Sequence, residues 1–160
     1  MKRMTNRRKI TQADYEVLAE FRYALRQFLH FSEDAARAAC LTPQQHQAML
    51  VIKGFPGGGR ITIGELAERL QIRHHSAVGL TDRLVSERYV RRLTDKQDRR
   101  QVRLSLTSRG EAVLEKLSAV HYEQLQRMGP QINRLLTRLR GAGPSLGKAI
   151  TQVDAPDEKN

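Results

Sequence analysis

The basic residues of this 160-residue chain are concentrated in two segments. Of the 28 lysines and arginines, five lie in residues 1–11, which contain no acidic residue, and twelve lie in residues 60–110, which contain six. These segments supply almost all of the formal net charge of +11. Charge that only kept the protein soluble would not need to be concentrated. A localised positive block is typical of a surface that binds a polyanion such as nucleic acid.

The larger basic segment has the pattern of a helix-turn-helix followed by a hairpin. Apolar spacing predicts a short helix over Thr62–Leu70 and a second helix from His74 to about Arg88. Two extended segments follow, Val90–Leu93 and Gln101–Leu106, joined by a charged turn. A helix-turn-helix places its second helix in the major groove of DNA, and a two-stranded ribbon can reach the backbone or the minor groove. The pattern predicts a winged-helix module that binds double-stranded DNA.

The side chains expected to contact DNA lie on the second helix and in the hairpin turn. Arginine can fork onto guanine or hold a phosphate, and serine and histidine can donate to either. Gly79 would let the helix backbone approach DNA closely. Asp98 is expected to pair with an arginine and shape the turn, so that Arg99 or Arg100 projects toward the minor groove. The predicted DNA-binding residues are Arg73, His74, His75, Ser76, Gly79, Thr81, Asp82, Arg83, Asp98, Arg99 and Arg100.

Two helices are predicted before this module. The first covers residues 12–39 and has an apolar stripe broken only by Arg22. The stripe consists of Tyr15, Leu18, Ala19, Leu25, Phe28 and Leu29. The second helix begins at Thr42, which can cap it, with Pro43 in the first helical position and Gln45 placed to complete a capping box. Arg60 and Ile61 are expected to form a short strand.

A long amphipathic helix is predicted after the hairpin. Thr107 or Ser108 can cap it, and Gly129–Pro130 is expected to interrupt it before a final helix that ends near Arg140. The helices at the two ends of the chain carry more apolar surface than a small winged helix can cover. A homodimer would bury this surface, and its twofold axis would present two recognition helices to a palindrome.

These elements define the predicted fold class and its parts. The fold class is mainly α (α+β), a winged helix-turn-helix with long N- and C-terminal helices that form a dimerisation bundle. The expected parts are a basic flexible arm (1–11), dimerisation helices (12–41 and 107–141), the DNA-binding domain (42–106) and a C-terminal tail (142–160).

Several other classes of protein lack support in the sequence. Cys40 is the only cysteine, which suits a reducing cytosol, and the longest apolar run, Ala48–Ile52, is far shorter than the ~20 residues that span a bilayer. We therefore expect a cytoplasmic protein without a membrane partner. No hydrolase motif or cofactor fingerprint is present, so neither an enzyme nor a cofactor is expected. His74 and His75 are neighbours on a helix and point in different directions, so no metal site is expected.

Taken in order, these motifs resemble those of the MarR (multiple antibiotic resistance regulator) family of winged-helix transcription regulators. The matching pieces are Leu41-Thr-Pro-Gln-Gln45, Ile63-Gly-Glu-Leu-Ala-Glu-Arg-Leu70, Ala77-Val-Gly-Leu-Thr-Asp-Arg-Leu-Val85, Val90-Arg-Arg92, Asp98-Arg-Arg100 and Leu106-Thr-x-x-Gly110. The resemblance implies a triangular homodimer that represses a pseudo-palindromic operator and is released by a small ligand or an oxidant. One departure is Tyr89, which stands where the family usually has glycine before the second strand.

The family analogy also suggests where an effector would bind. A small aromatic or phenolic effector is expected where the dimerisation helices meet the winged helix, near Tyr23, Arg26, His30, His46 and Met49. Two alternatives to a ligand-released repressor stay open. One is redox sensing through Cys40, although a buried, inert cysteine is the commoner outcome. The other is a nonspecific architectural DNA-binding protein, which only its ratio of specific to random-sequence affinity would distinguish from a regulator.

Overall fold

The structure of the protein is a computed structural model, which describes residues 9–58, 60–94 and 102–141. Their helices and strands, in chain order, are α1 (Gln12–Ala38), α2 (Pro43–Gly54), β1 (Ile61–Thr62), α3 (Ile63–Leu70), α4 (His74–Ser86), β2 (Val90–Thr94), β3 (Val102–Leu106) and α5 (Ser108–Gly141). The predicted fold class, mainly α (α+β) with a winged helix-turn-helix, is confirmed, because the described residues are mainly helical and form a small antiparallel sheet. No helix in the described ranges is both long and apolar enough to cross a membrane.

The sheet has the strand order β1-β3-β2 and is antiparallel throughout. Ile61 of β1 pairs with Leu104 of β3, and Val90 of β2 pairs with Leu106. The predicted short strand is therefore present, one residue later than expected. Leu104 and Leu106 are buried and the residues between and beside them are less so, which is the alternation of a sheet with one face on a core.

The described residues form two compact units, Leu29–Gln124 and a second unit from residues 9–28 and 125–141. In the Leu29–Gln124 unit, one apolar core lies between α2, α3, α4 and the sheet. Its fully buried large side chains are Met49, Ile52, Ile61, Leu66, Leu80, Leu84, Val90 and Leu104. Burial of one such side chain stabilises a fold by about 1.5–3 kcal/mol. This core fixes one face of α4 and leaves the opposite face to solvent.

The described part of the second unit has a core of its own. Val17 and Ala24 of α1 pack with Met128 and Leu135 of α5, and partly buried apolar side chains surround them. Four residues of the predicted apolar stripe of α1, Tyr15, Leu18, Leu25 and Leu29, are exposed in the single chain. α1 carries two adjacent apolar stripes at heptad spacing. Contacts within the chain bury the other stripe, whose residues, such as Val17 and Ala24, each precede a residue of the predicted stripe by one position.

A capping box begins α2, as predicted, and a second one begins α3. The Thr42 hydroxyl accepts from the Gln45 amide at 3.2 Å, and the Gln45 side chain accepts from the Thr42 amide at 2.8 Å. Thr62 and Glu65 repeat the arrangement at 3.3 and 2.8 Å. Hydrogen bonds from the backbone and the side chain of Thr62 lower the pKa of Glu65. Each cap satisfies amides that the first turn of a helix leaves free.

Three helices end in the same backbone motif without a glycine. Cys40, Gln71 and Arg88 follow α1, α3 and α4 with φ values of 59°, 54° and 62°. In each case the next residue donates its amide to a carbonyl five residues earlier, as Tyr89 does to Leu84 at 2.9 Å. This is the Schellman motif, whose left-handed residue is usually glycine. The left-handed position before β2 is therefore residue 88. The family resemblance predicts the usual glycine position one residue later, at Tyr89.

α5 runs through Pro130 without a break, so the predicted interruption at Gly129–Pro130 is wrong. Proline removes one helical hydrogen bond and bends a helix, but it does not always end one. Two features of the sequence favour continuity. Apolar residues keep helical spacing on both sides, from Leu125 and Met128 to Ile132 and Leu135. In addition, residues 124–131 contain no serine, threonine, aspartate or asparagine to cap a new helix.

The beginning of α5 is held against the residues between α4 and β2. The Thr107 amide donates to the Tyr89 carbonyl at 3.0 Å, and the Thr107 hydroxyl donates to the Arg88 carbonyl at 2.6 Å. The same hydroxyl accepts from the Gly110 amide at 3.1 Å and thereby caps α5. A Cβ atom at Gly110 would lie 2.1 Å from the Tyr89 carbonyl oxygen. The Leu-Thr-x-x-Gly motif therefore fixes where α5 begins relative to the end of α4.

We predict that Gly110→Ala lowers the free energy of unfolding by about 3 kcal/mol, the upper end of the cost of overpacking, because the clash involves backbone atoms. The matched control is Gly129→Ala in the same helix, where an added Cβ meets nothing within 4 Å. That variant should gain about 0.5–1 kcal/mol from the lower entropy of its unfolded chain. Urea unfolding measures both values, and equal effects of the two substitutions would contradict the close approach at Gly110.

Candidate nucleic-acid interface

The exposed face of α4 begins at its N-terminal end. Arg73, His74, His75 and Ser76 are all exposed. Gly79, one turn later, is partly exposed, and an added Cβ there would meet open space. Packing inside the chain therefore gives no reason for a glycine at position 79. The predicted contact residues of the first turns of α4 lie together on one surface.

The N-terminus of α4 differs from those of α2 and α3. Its N-cap residue is Arg73, which makes no side-chain capping hydrogen bond. The Ser76 and Ala77 amides bond the Arg73 carbonyl, at 3.0 and 3.1 Å. The amides of His74 and His75 belong to the first turn, which has no helical acceptors of its own. The positive end of the helix dipole thus lies beside exposed basic and polar side chains.

Thr81 is a correction to the predicted contacts. Its side chain is fully buried, and its hydroxyl has no hydrogen-bond partner in the described chain. It lies on the core-facing side of α4 between Leu80 and Leu84. The sequence prediction was wrong here because it followed nearness to the helix N-terminus, whereas a hundred-degree turn per residue separates Thr81 from the exposed positions.

Asp82 and Arg83, the remaining predicted residues of α4, are exposed. The Asp82 carboxylate lies 2.5 Å from an Nη atom of Arg92 on β2. An exposed ion pair of this kind stabilises a fold by only about 0–1 kcal/mol. Sequence reasoning did not single out Arg92, because only the turn between α4 and β2 shows that the two residues meet.

Part of the predicted interface is not described. Asp98, Arg99 and Arg100 of the hairpin turn lie outside the described residues, as do residues 1–8 of the basic arm. Arg103 on β3 is described, and its guanidinium donates to the Arg60 carbonyl at 3.4 Å. Arg103 also contributes to the lowered pKa of Glu65. A basic side chain of the central strand β3 is thus linked to the residue that precedes the outer strand β1.

The five residues suggested for an effector pocket differ in their exposure. Tyr23, Arg26 and His30 are exposed on α1, and His30 pairs with Asp34 at 3.0 Å. Met49 is fully buried in the core. The effector pocket stays a prediction from the family analogy, and Met49 contributes to the core rather than to a surface cavity. The fifth residue, His46, belongs to a different arrangement.

In the Leu29–Gln124 unit, the buried His46 forms a pair with the partly buried His121. Its ring centroid lies 4.6 Å from that of His121. One nitrogen of His121 lies 2.6 Å from the Leu117 carbonyl and the other lies 2.8 Å from the Ser32 hydroxyl. Burial lowers the pKa of His46, and His121 lowers it further. The neutral form of His46 is favoured in the fold, so this contribution to stability is present above pH 6.5 and is lost as the pH falls.

An apolar groove of 540 Å³ lies beside this pair, between the end of α1 and the first half of α5. Its walls are Phe31, Ala35, Ala38, Ala39, Val113, Lys116, Leu117 and Val120. Lys116 is the one charged residue among them. The volume is in the range of small-molecule sites. None of the five residues suggested from sequence lines it.

Cys40 is exposed, which corrects the expectation of a buried cysteine. It occupies the left-handed position after α1, and the following residue, Leu41, enters the core instead. Among the described residues, no group of three or more histidine, cysteine, aspartate or glutamate side chains could hold a metal ion.

Comparison with known proteins agrees with this architecture. A sequence model of the MarR family matches residues 41–101, from the end of α1 into the hairpin turn. Over these residues the chain is similar to the MarR family. No curated protein sequence matches it.

Solved structures of MarR-like fold cover most of the chain. AbsC from Streptomyces coelicolor, a MarR family transcriptional regulator, is 20% identical with a TM-score of 0.66, over 84% of this chain and 92% of its own. YusO from Bacillus subtilis is 19% identical with a TM-score of 0.61, over 85% and 100%. A MepR mutant from S. aureus, bound to an oligodeoxyribonucleotide, is 20% identical with a TM-score of 0.61, over 84% and 99%.

We predict that Thr81→Val raises the free energy of unfolding by about 1 kcal/mol, because it removes a buried hydroxyl that has no partner in the described chain. The matched control is Thr107→Val, which removes a hydroxyl that caps α5 and should lower stability by about 1–2 kcal/mol. Denaturant unfolding of both variants measures the contrast. Loss of stability in Thr81→Val would mean that the hydroxyl is satisfied.

Proposed function

We propose that the protein is a homodimeric DNA-binding transcriptional regulator that represses a pseudo-palindromic operator and is released by a small ligand. The observation that carries the proposal is the exposed N-terminal turn of α4, where Arg73, His74, His75 and Ser76 surround uncapped backbone amides. Backbone amides at a helix N-terminus bind phosphates, and these side chains can donate to phosphates or to base edges. The oligodeoxyribonucleotide bound to the MepR relative supports the same use of this fold.

The distribution of charge supports DNA as the partner. Twelve of the 28 basic residues lie in residues 60–110, which include α4 and both strands of the hairpin. Arg73, Arg83 and Arg92 are exposed on α4 or beside it. Asp98, Arg99 and Arg100 remain proposed parts of the interface, on the sequence pattern of the hairpin turn. Such a surface attracts a phosphate backbone at long range and adds contacts in the groove.

Exposed apolar residues support a homodimer. Tyr15, Leu18, Leu25 and Leu29 form the outward stripe of α1, and they are between 41% and 60% exposed in the single chain. On α5, Val120, Tyr122 and Leu125 are also exposed. Scattered exposed apolar residues are ordinary, but a stripe at helical spacing is typical of a helix that packs on a partner. A twofold dimer would cover the stripe and present two α4 helices.

The groove beside α5 supports release by a ligand. Its apolar walls and the single cation of Lys116 fit a small aromatic anion, such as a deprotonated phenol or an aromatic carboxylate. Such a ligand would weaken DNA binding only if it binds the DNA-free conformation of the protein more tightly than the DNA-bound conformation.

DNA binding is tested by selecting bound sequences from a random duplex pool and titrating the winner against its scrambled version. We predict that the dimer's affinity falls with salt at a log–log slope of about −5 to −7, as expected if each protomer neutralises ~3–4 phosphates. Specific binding should exceed scrambled-duplex binding by ~10³-fold or more. A slope near zero would exclude DNA as the partner of the basic surface, and equal affinities would favour the architectural alternative.

For the dimer we predict that Leu25→Glu produces monomers and weakens operator binding, whereas Gln27→Glu does neither. Both substitutions add one carboxylate to the same helix, but the two positions point to opposite sides of it. Leu25 is exposed in the single chain, so its loss should leave the monomer folded. Sedimentation equilibrium measures the association, and a Leu25→Glu protein that stays dimeric would contradict this interface.

A further inference from the structure

Asp82 presents an electrostatic problem on a DNA-binding face. It lies seven residues after His75 and three after Gly79, so all three share one exposed side of α4. A carboxylate that faced phosphates alone would repel them and weaken binding. In this chain the carboxylate is paired with Arg92 of β2, at 2.5 Å between one Nη atom and Oδ1.

The ion pair leaves the guanidinium of Arg92 free to bind something else. Its contact with Asp82 involves one Nη atom, whereas a guanidinium carries five N–H donors in a rigid fork. The side chain is 38% exposed, so some of these donors face solvent. Asp82 therefore holds one side of the fork and reduces the freedom that a long side chain would lose on binding.

We infer that Arg92 binds a DNA phosphate and that Asp82 is the positioning residue that orients it. The inference rests on the proposed DNA-binding function and adds a residue to it that the sequence pattern did not single out. A phosphate oxygen fits this site because it can accept from those N–H donors of the guanidinium that do not contact Asp82. One carboxylate and one arginine thus give a net neutral face that still offers directed donors.

Arg91 is a matched control within the same strand. Arg91 and Arg92 have the same charge, lie on the same strand and are both exposed. Successive residues of a strand point to opposite faces, so the two side chains have different surroundings. Arg91 lies near Glu111 of α5, whose pKa is lowered first by a hydrogen bond from Lys53 and to a smaller extent by Arg91. A model based on net charge alone predicts equal losses from the two arginines.

The first experiment compares Arg92→Gln with Arg91→Gln on the selected duplex, with salt varied from about 50 to 200 mM. We expect Arg92→Gln to weaken binding about tenfold or more and to reduce the salt slope by about two for the dimer, which is one phosphate per protomer. Arg91→Gln should weaken binding less than about threefold. Arg92→Lys, which keeps the charge and loses the fork, should recover only part of the affinity. Equal effects of Arg91→Gln and Arg92→Gln would overturn the inference.

The second experiment tests whether Asp82 orients Arg92, by measuring whether Asp82→Asn weakens or strengthens DNA binding. Asp82→Asn raises the net charge of each protomer by one, so simple electrostatics predicts tighter DNA binding. If Asp82 orients Arg92, the same substitution weakens binding to the selected duplex, by about threefold or more. Glu115→Gln on α5 is the control for the change of charge and should not weaken binding. Tighter binding of Asp82→Asn would overturn the positioning role.

A double-mutant cycle distinguishes a positioning role of Asp82 from a role in stability alone. In the Arg92→Gln background, Asp82→Asn should no longer weaken binding, whereas additive losses would overturn the coupling. Melting temperatures should stay within a few degrees of the unsubstituted protein, because an exposed ion pair stabilises a fold little. Losses of affinity that simply follow losses of melting temperature would also overturn it. If the unsubstituted protein binds no duplex, the proposed function fails and this inference falls with it.

Discussion

The close approach of two backbone segments, at Tyr89 and Gly110, determines how the Leu29–Gln124 unit is arranged. The Tyr89 carbonyl and its neighbour at Arg88 receive both donors of Thr107, and Gly110 leaves no side chain between the segments. The end of α4, the beginning of β2 and the beginning of α5 are thereby fixed at one place. The exposed face of α4 and the strand that carries Arg92 take their positions from this junction. A side chain at Gly110 would separate elements that form one surface.

Much of this fold was predictable because its signals are local. Thr42 with Gln45, and Thr62 with Glu65, state where two helices begin, and the structure shows both capping boxes. Helix ends were less visible, because Cys40, Gln71 and Arg88 occupy left-handed positions that glycine usually marks. Pro130 produced the opposite error. A strong local signal was outweighed by apolar spacing that continues on both sides of it.

The candidate site was only partly predictable, because burial and pairing depend on tertiary structure. The pattern of α4 identified its exposed first turn but included Thr81, which the core covers. It included Asp82 and passed over Arg92, since the turn between them decides that they meet. On α1, two apolar stripes lie side by side, and periodicity could not tell which one the chain buries by itself.

The three left-handed helix ends also have a consequence for robustness. Residues other than glycine are strained in this conformation, and the strain recurs at three separate turns of the chain. The fold tolerates it because Leu41 and Tyr89, just beyond two of these turns, are drawn into the core. The strain at these three residues lowers the thermal stability of the protein below the value that the same fold could reach. Variants adapted to hotter surroundings could arise at these loops by single replacements, with the recognition surface left as it is.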